Sequence, residues 1–298
     1  MDLNTFKALD FFAEEDFLSM SPEESAMAAG LSIEEFGTLI SSLINEGLLG
    51  KNGITEKGLE ALEPYRAKRA VFLAAGFGSR MVPITINTPK PLVRVHGKRI
   101  IDTILDAVLA AGIEDIYIVN GYLGEQFELL KEKYPMIKLI KNPEYDGTGT
   151  ISSFYYARDL LEQSYVLESD LVVQNPRVIR KYRYTSGFMG TKMDATEDWF
   201  LRADEKGHID EVGVNGAGEG LYKLIGISFW NEEDGKKLAH DIKEAYEGEG
   251  GHKLAMSFVP FRVYKDRYDV HVMPAGPDDV VEIDSFRELQ EYDENYRV

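Results

Sequence analysis

The sequence predicts an α/β protein: a doubly wound, mostly parallel sheet forms its main domain, and a small helical unit precedes it. Three observations predict this. Short apolar runs of strand length at residues 70–74, 116–119 and 137–140 alternate with helical spacing at residues 100–111 and 125–133. That rhythm suits parallel strands buried on both faces and joined by crossover helices. The first run breaks at once into Gly76-Phe77-Gly78, at the carboxyl end of a strand, where open α/β sheets bind their ligands. Residues 1–66 follow a different pattern, of capped helices and a hairpin, so the chain divides into residues 1–66 and 67–298. At 298 residues, 44% of them hydrophobic, the length suits two unequal domains.

In the first unit, Ser21-Pro22-Glu23-Glu24 and Ser32-Ile33-Glu34-Glu35 are capping boxes, each opening an amphipathic helix. Gly47 closes the second after Leu39, Ile40, Leu43 and Ile44. Residues 48–54 read as a short hairpin, and Thr55-Glu56-Lys57-Gly58-Leu59 opens another helix. This order resembles a winged helix-turn-helix domain, which implies DNA binding with the helix at residues 33–46 in the major groove. Charge argues against that role. Residues 1–66 hold 13 acidic and 4 basic residues, and the presumed recognition helix carries Glu34, Glu35 and Glu46 with no Lys or Arg. A DNA reader draws most of its affinity from phosphate contacts. The expectation is therefore a protein-docking or regulatory contact, with DNA binding disfavoured and an inert appendage as the plain alternative.

The linker at residues 63–69 is polar and contains Pro64. It leads into the stretch around which the larger domain is organised, residues 70–92. Gly76 and Gly78 permit a bend in which consecutive N–H groups face an anion, and Arg80 and Lys90 add cations. This is a phosphate site. A P-loop requires a Gly-Lys-Ser/Thr that is absent, and the dinucleotide fingerprint requires a third glycine where Met81 stands. Leu73, Gly76, Gly78, Arg80, Pro83, Thr85, Pro89, Lys90 and Leu92 instead match the signature Leu-x-x-Gly-x-Gly-x-Arg-x-x-Pro-x-Thr-x-x-x-Pro-Lys-x-Leu. In this the chain resembles the nucleotidyltransferase (pyrophosphorylase) superfamily. The resemblance implies that Leu73, Ala75, Gly76, Gly78 and Ser79 seat the nucleotide, and that Arg80 and Lys90 are the catalytic cations.

After the third strand, Asp146-Gly147-Thr148-Gly149 can bring backbone close to a flat base, so Gly147 and Thr148 join the nucleotide-binding set; a plain glycine turn before a helix at residues 152–161 is the alternative. The next strand, residues 165–170, ends in Asp170. Nucleotidyltransferases carry an aspartate there as a ligand for Mg²⁺, an ion that takes carboxylates, phosphate oxygens and water. Downstream, Val281-Glu282-Ile283-Asp284-Ser285 precedes a terminal helix at residues 286–292. Together with residues 194–201 and 226–230, this segment resembles the bacterial CTP:phosphocholine cytidylyltransferases, over about residues 69–298. The likeness implies that Asp170 and Asp284 share Mg²⁺. It also implies that Trp199, Trp230 and Asp198 hold the acceptor, since aromatic faces attract a quaternary ammonium. A core role is the alternative for both tryptophans. In one place the chain departs from that branch, with Met256-Ser257-Phe258 where the phosphocholine enzymes have Tyr-Trp-Asp.

Composition narrows the remaining classes. The net charge of −18 speaks against a general nucleic-acid binder, and the absence of cysteine removes disulfides and thiolate metal sites. No apolar run approaches the 18 or so residues of a membrane span, and no signal-peptide pattern opens the chain. The expectation is a cytoplasmic enzyme without membrane partners, transferring CMP from CTP to phosphocholine. Phosphoethanolamine, 2-aminoethylphosphonate or a sugar 1-phosphate are the alternative acceptors. A transcriptional regulator with a nucleotide-sensing domain is the alternative of another class.

Overall fold

The structure, a computed structural model, describes residues 1–14, 21, 23–24, 26 and 30–297. It divides into two units, one of Met1–Arg66 with Tyr182–Tyr184 and one of Ala67–Lys181 with Thr185–Val298.

The smaller unit opens with α1 (Leu3–Ala13), capped by Asp2, whose Oδ1 accepts the N–H groups of Asn4 and Thr5 at 3.1 and 3.0 Å. The sequence expectations do not include this helix. At Ser21 the reciprocal bonds of the capping box are present, Ser21 N–H to Glu24 and Glu24 N–H to Ser21 Oγ at 2.8 and 3.2 Å. The helix expected beyond them lies largely outside the described residues. The second box holds as read: Ser32 and Glu35 cap α2 (Ile33–Asn45). β1 (Leu49–Gly50) pairs antiparallel with β2 (Gly53–Ile54), and α3 (Glu56–Leu62) follows from Thr55, which accepts the N–H of Gly58 at 3.1 Å. Only glycine fits at position 58, where a Cβ would stand 2.3 Å from the carbonyl oxygen of Leu48. The core of the unit is Phe6, Leu9, Leu43, Leu49 and Leu62, completed by Tyr182, which comes from far along the chain. Tyr184 stacks on Tyr65 with ring centroids 5.4 Å apart.

The larger unit begins with β3 (Arg69–Ala74), followed by the glycine loop and a small hairpin of β4 (Arg94–Val95) and β5 (Lys98–Arg99). Then come α4 (Ile100–Ala110), β6 (Asp115–Asn120), a 3₁₀ segment at Gly124–Glu132 in place of the α-helix expected there, and β7 (Lys138–Lys141). α5 (Ile151–Ala157) leads to β8 (Ser164–Glu168) and β9 (Leu171–Val173). The second half adds β10 (Ser186–Lys192), β11 (Ala195–Ala203), β12 (Ile209–Ala217), β13 (Leu221–Trp230), α6 (Glu232–Glu247), β14 (Val270–Ala275), β15 (Val280–Glu282) and α7 (Phe286–Tyr292).

β7, β6, β3 and β8 run parallel in that spatial order, which gives β3 the centre. β13 joins β8 antiparallel and carries β10 on its other edge, with β14 parallel beyond. The β11–β12 hairpin extends the sheet along the first half of β13. The parallel half is thus the doubly wound sheet expected, and the later half is mixed. Alternation along β3 divides the core: Ala70, Phe72 and Ala74 pack with α4 residues such as Ile104 and Leu105, while Val71 faces Phe154 of α5 and Leu238 and Ile242 of α6. Both faces of a central strand are therefore dry. The carboxyl ends of β3 and β8 are left to meet a ligand.

Candidate active site

A cavity of about 560 Å³ opens at those carboxyl ends. One side is the glycine loop. Gly78 holds φ 67°, a left-handed conformation, and a Cβ there would press on Lys90 Cβ at 3.1 Å and Thr85 Cγ2 at 3.2 Å. Thr85 Oγ1 donates to the Gly78 carbonyl at 2.9 Å, which fixes the bend. A Cβ on Gly76 would meet nothing within 4 Å, so the backbone there is open to an incoming group. Leu73, Ala75, Gly76, Gly78, Ser79 and Arg80 all line the cavity. So does Thr148, whose Oγ1 donates to Ser152 at 2.9 Å. Gly147 turns the chain at φ 79° but stands outside the lining, so of the expected pair only Thr148 reaches the cavity.

Lys90 is buried, and its ammonium donates to Asp170 Oδ2 at 2.6 Å and to Asp284 Oδ1 at 2.7 Å. Arg80, largely exposed, reaches the same Asp284 oxygen with Nη2 at 2.8 Å. Residues 80, 90, 170 and 284 thus converge on one point. Burial pulls the Lys90 ammonium down, but the two carboxylates outweigh it and hold the group above the usual lysine value. The strand expected to end at Asp170 stops at Glu168, and Asp170 sits two residues further on. Ser169 Oγ donates to the Leu73 carbonyl at 2.6 Å, and the Ile283 N–H donates to the Asp170 carbonyl at 3.2 Å. These two bonds tie both aspartate segments to the end of the central strand.

Two further carboxylates stand beside them. Glu168 fills the space over Gly226, where a Cβ would come within 2.5 Å of its Oε2. Its carboxyl is raised, by burial first and then by the charges of Asp170 and Asp284. Glu282 is pushed up to about 8 by the same causes. Ligand oxygens of Glu168, Asp170 and Glu282 lie within 4.8 Å of one another. Asp170 Oδ1 is buried without a hydrogen-bond partner among the described residues. A buried carboxylate oxygen in that condition is costly unless a cation faces it, and an all-oxygen set of this kind suits Mg²⁺.

Across the cavity, a bulge in β11 between Thr196 and Trp199 re-aims the strand, and Asp198 and Trp199 both line the wall. Trp230 does not. It is fully buried on β13, its Nε1–H donates to Ser228 Oγ at 3.1 Å, and its ring meets Phe188 and Tyr268 edge-on. Its place in the acceptor set is therefore corrected: this tryptophan is core, because it lies past Ser228 at the end of β13, beyond the cavity, where its ring packs in the cluster of Leu238 and Ile242 of α6. Met256 and Ser257 line the wall, while Phe258 packs on Trp199 with centroids 5.5 Å apart.

The family model described as Nucleotidyl transferase matches residues 69–188. A 2-aminoethylphosphonate cytidylyltransferase from Lancefieldella rimae is 36% identical over 230 residues, spanning 76% of this chain and 92% of its own. A choline-phosphate cytidylyltransferase from Streptococcus pneumoniae is 31% identical over 232 residues, spanning 76% and 97%. The chain belongs to the nucleotidyl transferase family. The solved structure of CTP:phosphocholine cytidylyltransferase from Streptococcus pneumoniae superposes on this transferase with a TM-score of 0.70 at 32% identity, covering 78% of this chain and all of the other.

Sequence reasoning missed four parts of the transferase's site. Glu168 and Glu282 each stand two residues before an expected metal aspartate, a spacing that keeps both on one side of an extended chain, and that repeat was the available signal. Lys223 lies behind the wall, and Asn142, buried, donates to Ser152 and Ser153 at 3.0 and 3.2 Å and so holds the loop that bears Thr148. Neither carries a motif.

Proposed function

We propose that this transferase moves the cytidylyl group of CTP to the phosphate of phosphocholine, giving CDP-choline and pyrophosphate, as a cytoplasmic enzyme that uses Mg²⁺. One observation carries the reading: a single cavity joins the glycine-loop cations Arg80 and Lys90, the Asp170–Asp284 pair, and the wall of Asp198 and Trp199. The names of the curated relatives support cytidylyl transfer to a small phosphorylated amino alcohol or an aminoalkylphosphonate.

An oxygen of the acceptor phosphate forms the new bond to the α-phosphorus of CTP as the bond from that phosphorus to the β-phosphate oxygen breaks. Pyrophosphate leaves with the electron pair. A phosphate monoester is largely dianionic near neutral pH, so the attack needs no general base. What remains for the protein is alignment and charge neutralisation. Arg80 and Lys90 meet the phosphate charge, while the backbone of the glycine loop and Thr148 seat the nucleotide. Asp170 and Asp284, with Glu168 and Glu282 beside them, would hold Mg²⁺, which when bound supplies counter-charge to phosphate oxygens.

A second reading, with 2-aminoethylphosphonate as acceptor, is favoured by the wall itself. Trp199 is the only tryptophan that lines the cavity among the described residues, and Asp198, Glu168 and Glu282 line it too. Carboxylates can accept hydrogen bonds from a primary ammonium, which a quaternary one cannot donate. We read the smaller unit as a winged-helix-like docking or regulatory module. The measurement that decides is pyrophosphate release from each of four nucleoside triphosphates against a panel of phosphorylated acceptors. CTP with phosphocholine is the expected pair, and faster turnover of 2-aminoethylphosphonate would establish the second reading. Turnover with sugar 1-phosphates alone, or nucleotide binding without turnover, would overturn both.

A further inference from the structure

β13 alternates along its length: Leu224, Gly226 and Ser228 line the cavity, while Ile225, Ile227 and Phe229 enter the core on the other face. Lys223 belongs by register to the second set, opposite Phe200 of β11, and it is not a lining residue. Its side chain nonetheless turns toward the wall from behind. The ammonium stands 3.2 Å from Asp198 Oδ2 and 3.8 Å from Glu282 Oε2, and both carboxylates line the cavity. Asp198 is therefore held at both oxygens, since its Oδ1 accepts the N–H of Trp199 at 2.9 Å. The Asp198 N–H in turn donates to Thr196 Oγ1 at 3.1 Å, so the bulge and the lysine together fix the direction of this carboxylate. A carboxylate has about four acceptor positions, and two remain for a ligand.

We propose that Lys223 is a positioning residue for acceptor selection: from behind the wall it holds Asp198 beside Trp199 so that the carboxylate meets the cationic end of the acceptor. Lys223 does not touch the acceptor. It acts through Asp198, and it does so on an element separate from the one that carries the phosphate cations. The inference rests on the acceptor reading given above.

The test compares kcat/KM for the better of phosphocholine and 2-aminoethylphosphonate with kcat/KM for its own neutral-ended counterpart, 3,3-dimethylbutyl phosphate or 2-hydroxyethylphosphonate respectively, in the full chain. The ratio measures recognition of the cation alone. Lys223→Met should lower it roughly tenfold, about the worth of one well-placed charge-assisted hydrogen bond, through the acceptor KM and with the CTP KM unchanged. Lys223→Arg should restore most of it. Asp198→Asn should lower the ratio as well, and the double variant should be no worse than Asp198→Asn, because residues acting through one another do not add. Should Lys223→Met fail to fold, Lys223→Gln paired with Asp198→Asn makes the same cycle. A wild-type ratio retained in the Lys223 variant, or losses that multiply in the double, would overturn the inference. A wild-type ratio near one would overturn the cationic-acceptor reading first, and the inference with it.

Discussion

Two tryptophans in matched segments of the sequence have opposite fates. Trp199 lines the cavity, whereas Trp230 is enclosed on every side and spends its N–H on Ser228. Their substitutions should separate cleanly. Trp199→Ala should weaken the cationic acceptor far more than CTP, since a cation–π contact in a desolvated site is worth about 2 kcal/mol, or roughly thirtyfold. Equal losses for both substrates would show a structural role instead. Trp230→Ala should leave the ratio of the two substrates' KM values alone and cost about 3–5 kcal/mol of stability through the cavity it creates, read as a lowered melting temperature. Composition and motif position could not tell the two residues apart, because what separates them is place along the strand: Trp230 shares a face with Leu224, Gly226 and Ser228 but lies beyond the cavity they line, while the bulge before Trp199 sets that ring against the wall.

Among the elements, those that carry chemistry were legible where a local rule fixes them. The glycine loop after β3 is dictated by backbone sterics at Gly78, and the structure brings the two cations that follow it, Arg80 and Lys90, onto the same oxygen of Asp284. α2 begins at a capping box that the sequence spells out, and the box of Ser285 and Glu288 that opens α7 was there to be read in the same way. The antiparallel partners β10, β11 and β13 were not foreseen as a mixed half-sheet, because pairing across long separations leaves no periodic trace. The metal aspartates stand between these cases. Each ends a strand-like run in the sequence, but only the fold brings residues 170 and 284 onto one ammonium. If both serve one Mg²⁺, Asp170→Ala and Asp284→Ala should each lower pyrophosphate release by at least about a hundredfold with melting unchanged, and the double variant should be little worse than either. Near-normal turnover in one single variant would remove that residue from the site. Strictly multiplicative losses would mean that the two carboxylates do not share an ion.

Across the whole chain, charge is the strongest constraint. With 51 acidic and 33 basic residues, the surface repels polyanions, and phosphate substrates must be met by a few placed cations. The described residues of the smaller unit include a helix α2 without a single Lys or Arg. The full-length protein should therefore show no DNA affinity tighter than about micromolar, and no steep loss of binding between about 50 and 200 mM salt, in a titration against duplex DNA. Salt-sensitive binding in that range would restore the DNA-reading role. Among the described residues no helix is long and apolar enough to cross a membrane.

The smaller unit also has an unusual relation to the gene. Its core is closed by Tyr182, and its aromatic stack by Tyr184, although both are encoded more than a hundred codons after the rest of it. A fragment that stops at residue 66 would lack its own keystone. Fusing the first 66 residues to another enzyme transplants an incomplete object, so recombination can move this unit intact only by carrying two separated pieces of coding sequence together.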